Sequence, residues 1–437
     1  MQAFILQFPE KQAKRMFSKD TSGASSFLEK PNRAAPGWLF VLPWSLRHVG
    51  GVNEVVKSLI GEFRDSGIFS PLLLAGSEEP ASGTTAGPEL IKPFRLNLWS
   101  PVDNQNPVRG VLSFVYRFPY RCWVMRRIID QHNIGIINPH FPGLGCLLFV
   151  AMKRLNLFKG KIILSFHLSD IQGALSTKGR ERKLWRMLLR GADHIVVVSD
   201  DLAKDVLALD STVAAKITTI YNGVDLDLFV PTEHETSTGF SVPDQGKTIL
   251  SIGGFIPRKG HDVLVRAFGH VLKKVPDARL VLVGGDGPEI EPIRHLINSM
   301  SLAQKVTIFK DVPHDRIPSF LSQAQLFVLA SRREGHPLAV VEAGAAGLPV
   351  VCTLTTASRE LISDKVTGRL VEFGDEHALA EAMIDLLTHP GEALRIATKF
   401  REYVKSNLTW GRTYEKYLKL AGDGVRHDVL IAESVKQ

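Results

Sequence analysis

The 437-residue sequence predicts an α/β protein with two doubly wound, Rossmann-like domains that face each other across a cleft. Three observations support this prediction. Short runs rich in Ile and Val are continuous and do not alternate with polar residues, as in strands buried on both faces of a parallel sheet. Segments with helical periodicity alternate with these runs. The polar stretch 230–246 has neither pattern and divides the chain into two similar halves.

The first half begins with the apolar run 38–44, which predicts a strand, and a Gly-rich turn follows at 48–54. Apolar residues then recur every three or four positions from Val52 to Phe63, which predicts an amphipathic helix that ends at Gly67. The rest of this half predicts strands at 134–138, 161–166, 194–199 and 217–221, and helices at 180–190 and 201–209.

The second half repeats the alternation of strands and helices. It predicts strands at 248–254, 278–285, 306–310, 326–331 and 349–353, and a helix at 262–275. The resulting division of the chain is a polar N-terminal extension at 1–35, domains at 36–230 and 247–405, a linker at 231–246 and a C-terminal segment at 406–437.

The composition, 44% hydrophobic and 22% charged, is that of a globular protein. No apolar run approaches the roughly 18 residues of a membrane span. Cys122, Cys146 and Cys352 have neither Cys-x-x-Cys spacing nor a histidine at metal-ligand spacing. We therefore expect reduced cysteines, a cytoplasmic location and no metal site.

The net charge of +8 comes mainly from residues 101–190. Two stretches there, 115–127 and 178–190, mix Lys and Arg with aromatic and large apolar residues. Such faces suit an anionic membrane surface, and the alternative is an ordinary solvated surface. No nucleic-acid-binding motif accompanies the charge, so we expect no nucleic-acid partner.

The segment 334–351 directly follows a predicted strand. Pro337 suits the first turn of a helix that ends before Gly347. Free N–H groups at the start of such a helix can bind an anion, for example a diphosphate. Glu334 precedes the helix and Glu342 lies within it, so the two carboxylates can accept hydrogen bonds from different hydroxyls of one ligand. The alternative is an ordinary helix with two surface glutamates.

A second candidate loop, residues 253–260, follows the first predicted strand of the second half. Its glycines allow the backbone to approach a ligand closely, and Lys259 adds a cation at the same end of the sheet. The alternative is a lysine in a solvent-facing turn. Neither half has the full Gly-x-Gly-x-x-Gly fingerprint in its first turn, which argues against a nicotinamide enzyme.

Taken together, the motifs of both halves resemble the GT-B-fold glycosyltransferases of family 4, the retaining class also called group 1. The resemblance covers about residues 38–420. Its motifs, in chain order, are HVGGVNEVVKSL, IINPHFPG, LSFHLSD, ADHIVVVSDDLAKDV, YNGVDLDLF, GGFIPRKG, LVGGDGPE, EGHPLAVVE and GLPVV. Nine motifs in the family's order are far more specific than any one of them.

The resemblance implies a role for each matching residue. His167 and Glu334 would be the catalytic residues beside the reacting sugar. Lys259 would hold the diphosphate, Glu342 would accept the ribose hydroxyls, and the backbone near Val312 would contact the base. The implied donor-binding residues are Gly50, Gly51, Gly253, Arg258, Lys259, Val312, Leu338 and Glu342. The helix from Trp410 would cross back to the first domain.

The implied activity is transfer of a hexose-type sugar from a UDP- or GDP-sugar to a glycan or lipid-linked acceptor, with retention of configuration. The resemblance implies no cofactor and no required metal. Asp225 and Asp227 have the spacing of a metal-binding Asp-x-Asp motif, but we interpret them as part of YNGVDLDLF. The expected setting is synthesis of cell-surface polysaccharide or glycolipid in the cytoplasm, at the inner face of the membrane.

Two positions depart from the family pattern. Gly254 stands where the family usually has an arginine beside the phosphate-binding lysine, although Arg258 lies close enough in sequence to replace that charge. The loop at Thr355 and Thr356 lacks the usual glycines. A catalytically weak nucleotide-sugar-binding or scaffold protein is therefore the alternative function.

Overall fold

The structure is a computed structural model, and it describes residues 35–46, 50–76, 94–95, 98, 100–101, 107–230 and 247–422. The predicted linker lies outside the described residues. So does the predicted N-terminal extension except its last residue, and so do residues 423–437 of the predicted C-terminal segment.

The first domain, as far as it is described, is a seven-stranded sheet with helices on its faces. Its strands are β1 (Gly37–Leu42), β2 (Ser70–Ala75), β3 (Phe94–Arg95), β4 (Ile134–Pro139), β5 (Lys161–Phe166), β6 (His194–Val197) and β7 (Ile217–Thr219). Its helices are α1 (Gly51–Ser66), α2 (Pro107–Gln131), α3 (Leu147–Arg154), α4 (Ser169–Ser176), α5 (Gly179–Gly191) and α6 (Asp200–Leu209). The strand order is β3-β2-β1-β4-β5-β6-β7, with parallel pairing.

The second domain has a six-stranded sheet among its described residues. Its strands are β8 (Thr248–Ile252), β9 (Arg279–Gly284), β10 (Val306–Lys310), β11 (Leu326–Leu329), β12 (Val350–Thr353) and β13 (Arg369–Val371). Its helices are α7 (His261–Val271), α8 (Ile290–Ser299), α9 (Ile317–Ser322), α10 (Leu338–Ala345), α11 (Thr356–Leu361), α12 (Glu376–Thr388) and α13 (Pro390–Asn407). The order is β10-β9-β8-β11-β12-β13, again parallel.

Both strand orders are doubly wound, so the predicted fold class is confirmed. The continuously apolar runs are strands because helices cover each sheet on both faces. In β5, for example, all residues after Lys161 are buried. The glycine stop of the first helix is also confirmed, since Gly67 follows α1 with φ 69°.

The sequence pattern does not predict β2, β3, β13 or α2. β3 has two residues and β13 has three half-buried ones, so neither contains a long apolar run. β2 is apolar but starts with Ser70 and Pro71, and α2 contains Pro119, which obscures a helical pattern. The predicted helix 262–275 ends at Val271, where the chain enters turns.

The last described helix, α14 (Trp410–Ala421), packs against α1 of the first domain. Its buried aromatic residues Trp410, Tyr414 and Tyr417 join an apolar cluster that contains Trp38 and Phe63. The end of the described chain is therefore held by the first domain's core. No described helix is both long and apolar enough to cross a membrane. The predicted domain boundaries stay a prediction.

Candidate active site

The carboxyl ends of the two sheets border a cavity of about 1140 Å³. In each sheet the strand order reverses beside the first strand, between β1 and β4 and between β8 and β11. Ligands of doubly wound domains bind at such switch points. The cavity brings together the residues singled out from the sequence: Gly50, Gly51, His167, Gly253, Arg258, Lys259, Val312, Glu334, Leu338 and Glu342.

Glu334, in the loop after β11, is paired with two cations from the loop after β8. Its Oε1 lies 2.7 Å from Nζ of Lys259, and its Oε2 lies 3.1 Å from Nη1 of Arg258. Burial alone would raise the pKa of Glu334, but Lys259 and then Arg258 outweigh burial and lower the pKa below its usual value. The carboxylate is therefore ionised at neutral pH, and the two cations are already oriented.

Two helix N-termini meet at the cavity. α1 begins at Gly51 and α10 at Leu338, and no side chain caps either first turn. A Cβ on Gly51 would lie 3.6 Å from Cδ1 of Leu338, so the two helix ends are in close contact. Uncapped N–H groups and the positive end of the helix dipole both favour a bound anion. Each domain thus presents one uncapped helix end to the cavity.

His314 connects the second domain to the first. Its Nε2 lies 2.7 Å from Oε1 of Glu342 on α10, and its Nδ1 lies 3.3 Å from Oε2 of Glu54 on α1. Burial alone would lower the pKa of His314, but Glu342 and then Glu54 outweigh burial and raise it. A protonated imidazole can donate to both carboxylates, whereas a neutral one can donate to only one.

The loop after β5 carries His167, whose ring lines the cavity, and hydrogen bonds to Asp170 fix the backbone of this loop. The carboxylate of Asp170 accepts hydrogen bonds from the amides of His167 (3.0 Å), Leu168 (2.9 Å) and Ile171 (2.9 Å). Burial raises the pKa of Asp170 to about 6 although these amides oppose the change. Leu168 has φ 143°, a strained conformation that costs about 1–3 kcal/mol and that the amide bonds help to maintain.

Polar groups and one glycine form part of the contact between the two domains. Arg333 Nη2 lies 2.6 Å from Asp205 and 3.2 Å from Asp201, both on α6. At Gly335, an added Cβ would lie 2.3 Å from the carbonyl oxygen of His167. Only a glycine allows this approach, which places the loop that carries Glu334 directly against the loop that carries His167.

Glu54, His314, Arg333 and Gly335 are among the residues of the site that the sequence does not single out. Glu54 lies within HVGGVNEVVKSL and His314 lies in none of the motifs, and their contact depends on the docking of two domains. Gly335 lies within the EGHPLAVVE motif, so the motif could have signalled it, but its role depends on a partner in the other domain.

The Asp225 carboxylate accepts hydrogen bonds from the amides of Asp227 (2.9 Å) and Leu228 (3.1 Å). This is a local turn in which the first aspartate of the Asp-x-Asp sequence is occupied by the backbone. Within the described part of the chain, no three His, Cys, Asp or Glu side chains are grouped so that they could hold a metal ion.

Comparison with known proteins identifies the family. Residues 234–406 match the family described as Glycosyl transferases group 1, and residues 49–228 match Glycosyltransferase Family 4. The chain belongs to the group 1 glycosyltransferases. This glycosyltransferase is 26% identical to the GDP-mannose-dependent alpha-(1-6)-phosphatidylinositol monomannoside mannosyltransferase of Mycolicibacterium smegmatis, over 83% of this chain and 92% of the relative.

Solved structures show the same fold for this glycosyltransferase. A glycosyltransferase from Rickettsia africae superposes with a TM-score of 0.71 at 20% identity, covering 91% of this chain and 99% of that one. Anabaena HepE in complex with UDP and glucose superposes with a TM-score of 0.69 at 16% identity, covering 88% and 98%. Both likenesses support the GT-B arrangement of two Rossmann-like domains.

Replacing His314 with Gln should lower the melting temperature more at about pH 6 than at about pH 8.5. The folded-state pKa is raised, so the stability from His314 is complete below the unfolded-state pKa and is lost as the pH rises through the folded-state pKa. Thermal unfolding across this range measures the difference. His295→Gln, at an exposed position on α8, is the control, and its melting temperature should differ little from that of the unmodified protein at every pH. A His314→Gln effect that stays constant or grows with pH would contradict the prediction.

Replacing Gly335 with Ala should weaken the binding of UDP or GDP by about tenfold, because a misplaced Cβ costs roughly 1–3 kcal/mol and here forces the domains apart. Calorimetric titration measures the affinity, and small-angle scattering measures the opening. Gly285→Ala is the matched control in the same cavity, since the nearest atom to its Cβ is 3.9 Å away. Equal behaviour of the two variants would show that the Gly335 contact is unimportant.

Proposed function

We propose that this glycosyltransferase moves a hexose-type sugar from a UDP- or GDP-sugar to a glycan or lipid-linked acceptor, with retention of configuration. The observation that carries the proposal is the grouping of Lys259, Arg258 and Glu334 with the N-terminus of α10 in one cavity between the domains. The Mycolicibacterium relative is named for GDP-mannose, and Anabaena HepE was solved with UDP, so both nucleotides are candidates.

Breaking the bond between the sugar and the nucleoside diphosphate places negative charge on the leaving phosphate. We propose that Lys259 and the uncapped starts of α1 and α10 stabilise this charge, because fixed charges and dipoles act strongly in a desolvated cavity. On the nucleoside side, Glu342 would accept the ribose hydroxyls and Val312 would lie against the base. Both residues are buried and line the cavity.

On the sugar side, we propose that Glu334 and His167 each form a hydrogen bond with a hydroxyl of the transferred sugar. They come from different domains but lie on loops that touch at Gly335. The transition state would resemble an oxocarbenium ion, as in glycoside hydrolysis. In the proposed front-face route, the leaving phosphate takes the acceptor's proton, and the acceptor forms its bond on the face that the phosphate leaves.

Gly254 is the reason for considering a weak or non-enzymatic alternative. Two observations favour activity. Arg258 reaches Glu334 from the same loop as Lys259, so a second cation is present without an arginine at 254. A Cβ at Gly254 would meet no atom within 4 Å, so the position remains open for a donor phosphate or for a larger side chain.

The acceptor side of the proposal concerns α2. Its N-terminal half exposes Val111, Leu112, Val115 and Tyr116, each at least half accessible to solvent. Further along the same helix, Arg127 lies over the ring of Trp123 at 5.1 Å. The helix thus combines exposed apolar side chains with aromatic residues and arginines, which are the groups found at a membrane interface.

Basic residues of α5 extend this surface. The side chains of Lys178, directly before α5, and of Arg180 and Lys183 are exposed, and no described residue forms a hydrogen bond or ion pair with them. α5 and α2 both pack on α3, on one side of the sheet. α2 leads directly into β4, so its N-terminal half lies toward the carboxyl edge of the sheet, which borders the cavity. We propose that this surface binds an anionic membrane at the cytoplasmic face and brings a lipid-linked acceptor to the cavity.

Replacing Lys259 with Met should reduce sugar transfer by about 100-fold, because a charge that stabilises the leaving phosphate is removed. Glu334 keeps Arg258 as a partner in this variant, so the fold should survive. Adding Gly254→Arg to Lys259→Met should restore part of the activity. Release of UDP or GDP from a panel of donors with glycan and lipid acceptors gives the rate, and NMR of the product gives the anomeric configuration.

Absence of transfer, hydrolysis and binding with every UDP- and GDP-sugar would overturn the proposed activity and favour the scaffold alternative. An inverted anomer would contradict retention alone.

Replacing Leu112 and Tyr116 with Ser should reduce binding to vesicles of mixed zwitterionic and anionic lipid by about tenfold or more, because two large apolar side chains no longer enter the leaflet. Flotation at low salt measures the bound fraction. Leu394→Ser is the matched control, since Leu394 is 68% exposed but lies on α13 in the second domain. An equal loss of vesicle binding in Leu394→Ser, or no vesicle binding by the unmodified protein, would rule out this surface as the membrane-binding site.

A further inference from the structure

Asn138, at the end of β4, has an amide whose orientation is fixed by its neighbours. The indole Nε1 of Trp38, which can only donate, lies 3.4 Å from Oδ1 of Asn138. The carbonyl oxygen of Ile163, which can only accept, lies 2.8 Å from Nδ2. Exchanging the oxygen and nitrogen would leave both neighbours without a complementary partner in a fully buried site. The amide oxygen therefore faces His140.

The position of the proton on His140 follows from this amide. Nε2 of His140 lies 3.1 Å from Oδ1 of Asn138, so Nε2 must carry a proton in order to donate it. His140 is completely buried, and burial and then the neighbouring His167 hold its pKa well below the usual value. A neutral imidazole carries only one proton, so Nδ1 of His140 is an acceptor.

The same reasoning extends to His167. Its Nε2 lies 3.1 Å from Nδ1 of His140, and a hydrogen bond to that acceptor requires a proton on Nε2 of His167. Burial lowers the pKa of His167 to about 4, so this ring is also neutral at pH 7. Its Nδ1 is then unprotonated, and no described residue forms a hydrogen bond with it. His167 lines the cavity in which we place the donor sugar.

We propose that Asn138 and His140 are positioning residues that hold His167 as its Nε2–H tautomer, so that Nδ1 accepts a hydrogen bond from a hydroxyl of the donor sugar. The part that concerns the sugar rests on the proposed function. The chain of hydrogen bonds starts from a fixed amide and leaves one acceptor at its outer end. A substrate that offers only an acceptor at this place is disfavoured.

The rings also fix the geometry of this chain. The rings of His140 and His167 are inclined by 28° with 5.2 Å between centroids, an edge-to-edge arrangement that suits their hydrogen bond, and the Tyr417 ring lies 6.1 Å from that of His140 at 24°. The Tyr417 hydroxyl contacts Ser165 Oγ at 3.0 Å, and Ser165 accepts from Nδ2 of Asn138 at 2.9 Å. Tyr417 thus touches the network at its far end, where its hydroxyl does not determine the amide orientation.

The test is ¹⁵N NMR of the full-length protein labelled at histidine. The protein has 14 histidines, so the signals of His167 are assigned by their absence in His167→Asn. We expect Nε2 of His167 to resonate as a protonated nitrogen and Nδ1 as an unprotonated one at pH 7. The opposite pattern, or a doubly protonated ring, would overturn the proposal without the use of any variant.

Two variants test the cause of the tautomer. His140→Phe keeps a ring between Phe40 and Tyr417 but removes the acceptor, so His167 should become a mixture of tautomers. Asn138→Leu removes the amide oxygen, so His140 is free to carry its proton on Nδ1. Nδ1 of His140 then donates to Nε2 of His167, and the Nδ1–H tautomer of His167 should become more populated. In either variant kcat should fall by about 10- to 100-fold, if the effect is as large as that of removing the residue that orients a metal-binding histidine.

Tyr417→Phe is the matched control, because it keeps the ring and leaves the amide of Asn138 fixed by Trp38 and Ile163. It should leave the His167 signals unchanged. Unchanged His167 signals in both His140→Phe and Asn138→Leu would overturn the proposal. The expected signals in a protein that transfers no sugar would support the tautomer assignment and contradict only the proposed function, so the two failures are distinguishable.

Discussion

The donor site depends on the pairing of one buried carboxylate with two cations. Glu334 is only 6% exposed, and it contacts Lys259 at 2.7 Å and Arg258 at 3.1 Å. Removing a partner from a buried ion pair leaves an uncompensated charge and costs about 3–5 kcal/mol. The pairing therefore keeps the loop after β8 and the loop after β11 together on the two sides of the switch point. It also orders long side chains before the donor arrives, which avoids an entropic cost of up to about 2 kcal/mol for each on binding.

The contacts between the domains are of a different kind. Arg333 pairs with Asp201 and Asp205, and Glu360 accepts hydrogen bonds from the backbone of α6, while the apolar cores lie within the domains. Polar contacts of this type favour relative motion of domains more than a large apolar interface does. Apolar contacts also join the domains: the aromatic residues of α14 are buried in the first domain's core, and Leu338 packs against the same cluster. Around the cavity, the contact depends on a few charges, among them the pairs of His314 with Glu54 and Glu342, and on the absence of a side chain at Gly335.

The fold could be predicted from the sequence because parallel strands covered on both faces have continuous apolar runs, as in β11 with its four buried apolar residues. The loops of the proposed donor site could also be predicted, because the loops that follow parallel strands lie at the same edge of the sheet. Lys259 and Glu334 both lie in such loops, so they are close together. The contact of Glu54 with His314 could not be predicted from the sequence, since it joins residues that are far apart in the chain. His140 lies within IINPHFPG, but its role depends on the bridge between His140 and Ser165 and on the rotamer of Asn138. Short strands such as β13 could not be predicted, because the apolar pattern requires several consecutive buried residues.

The acid–base properties of the cavity bear on how the acceptor loses its proton. His167 has a pKa of about 4, which makes its free nitrogen a weak base at neutral pH. Glu334 has a lowered pKa and is already bound to two cations, and the carboxylate of Asp170 is occupied by backbone amides. Glu342 and Glu54 lie with His314 on the side that we assign to the nucleoside. In the proposed route the base is instead the departing phosphate, whose negative charge grows as the sugar bond breaks. A route in which this phosphate takes the proton and the acceptor enters on the same face agrees with these properties and leads to retention.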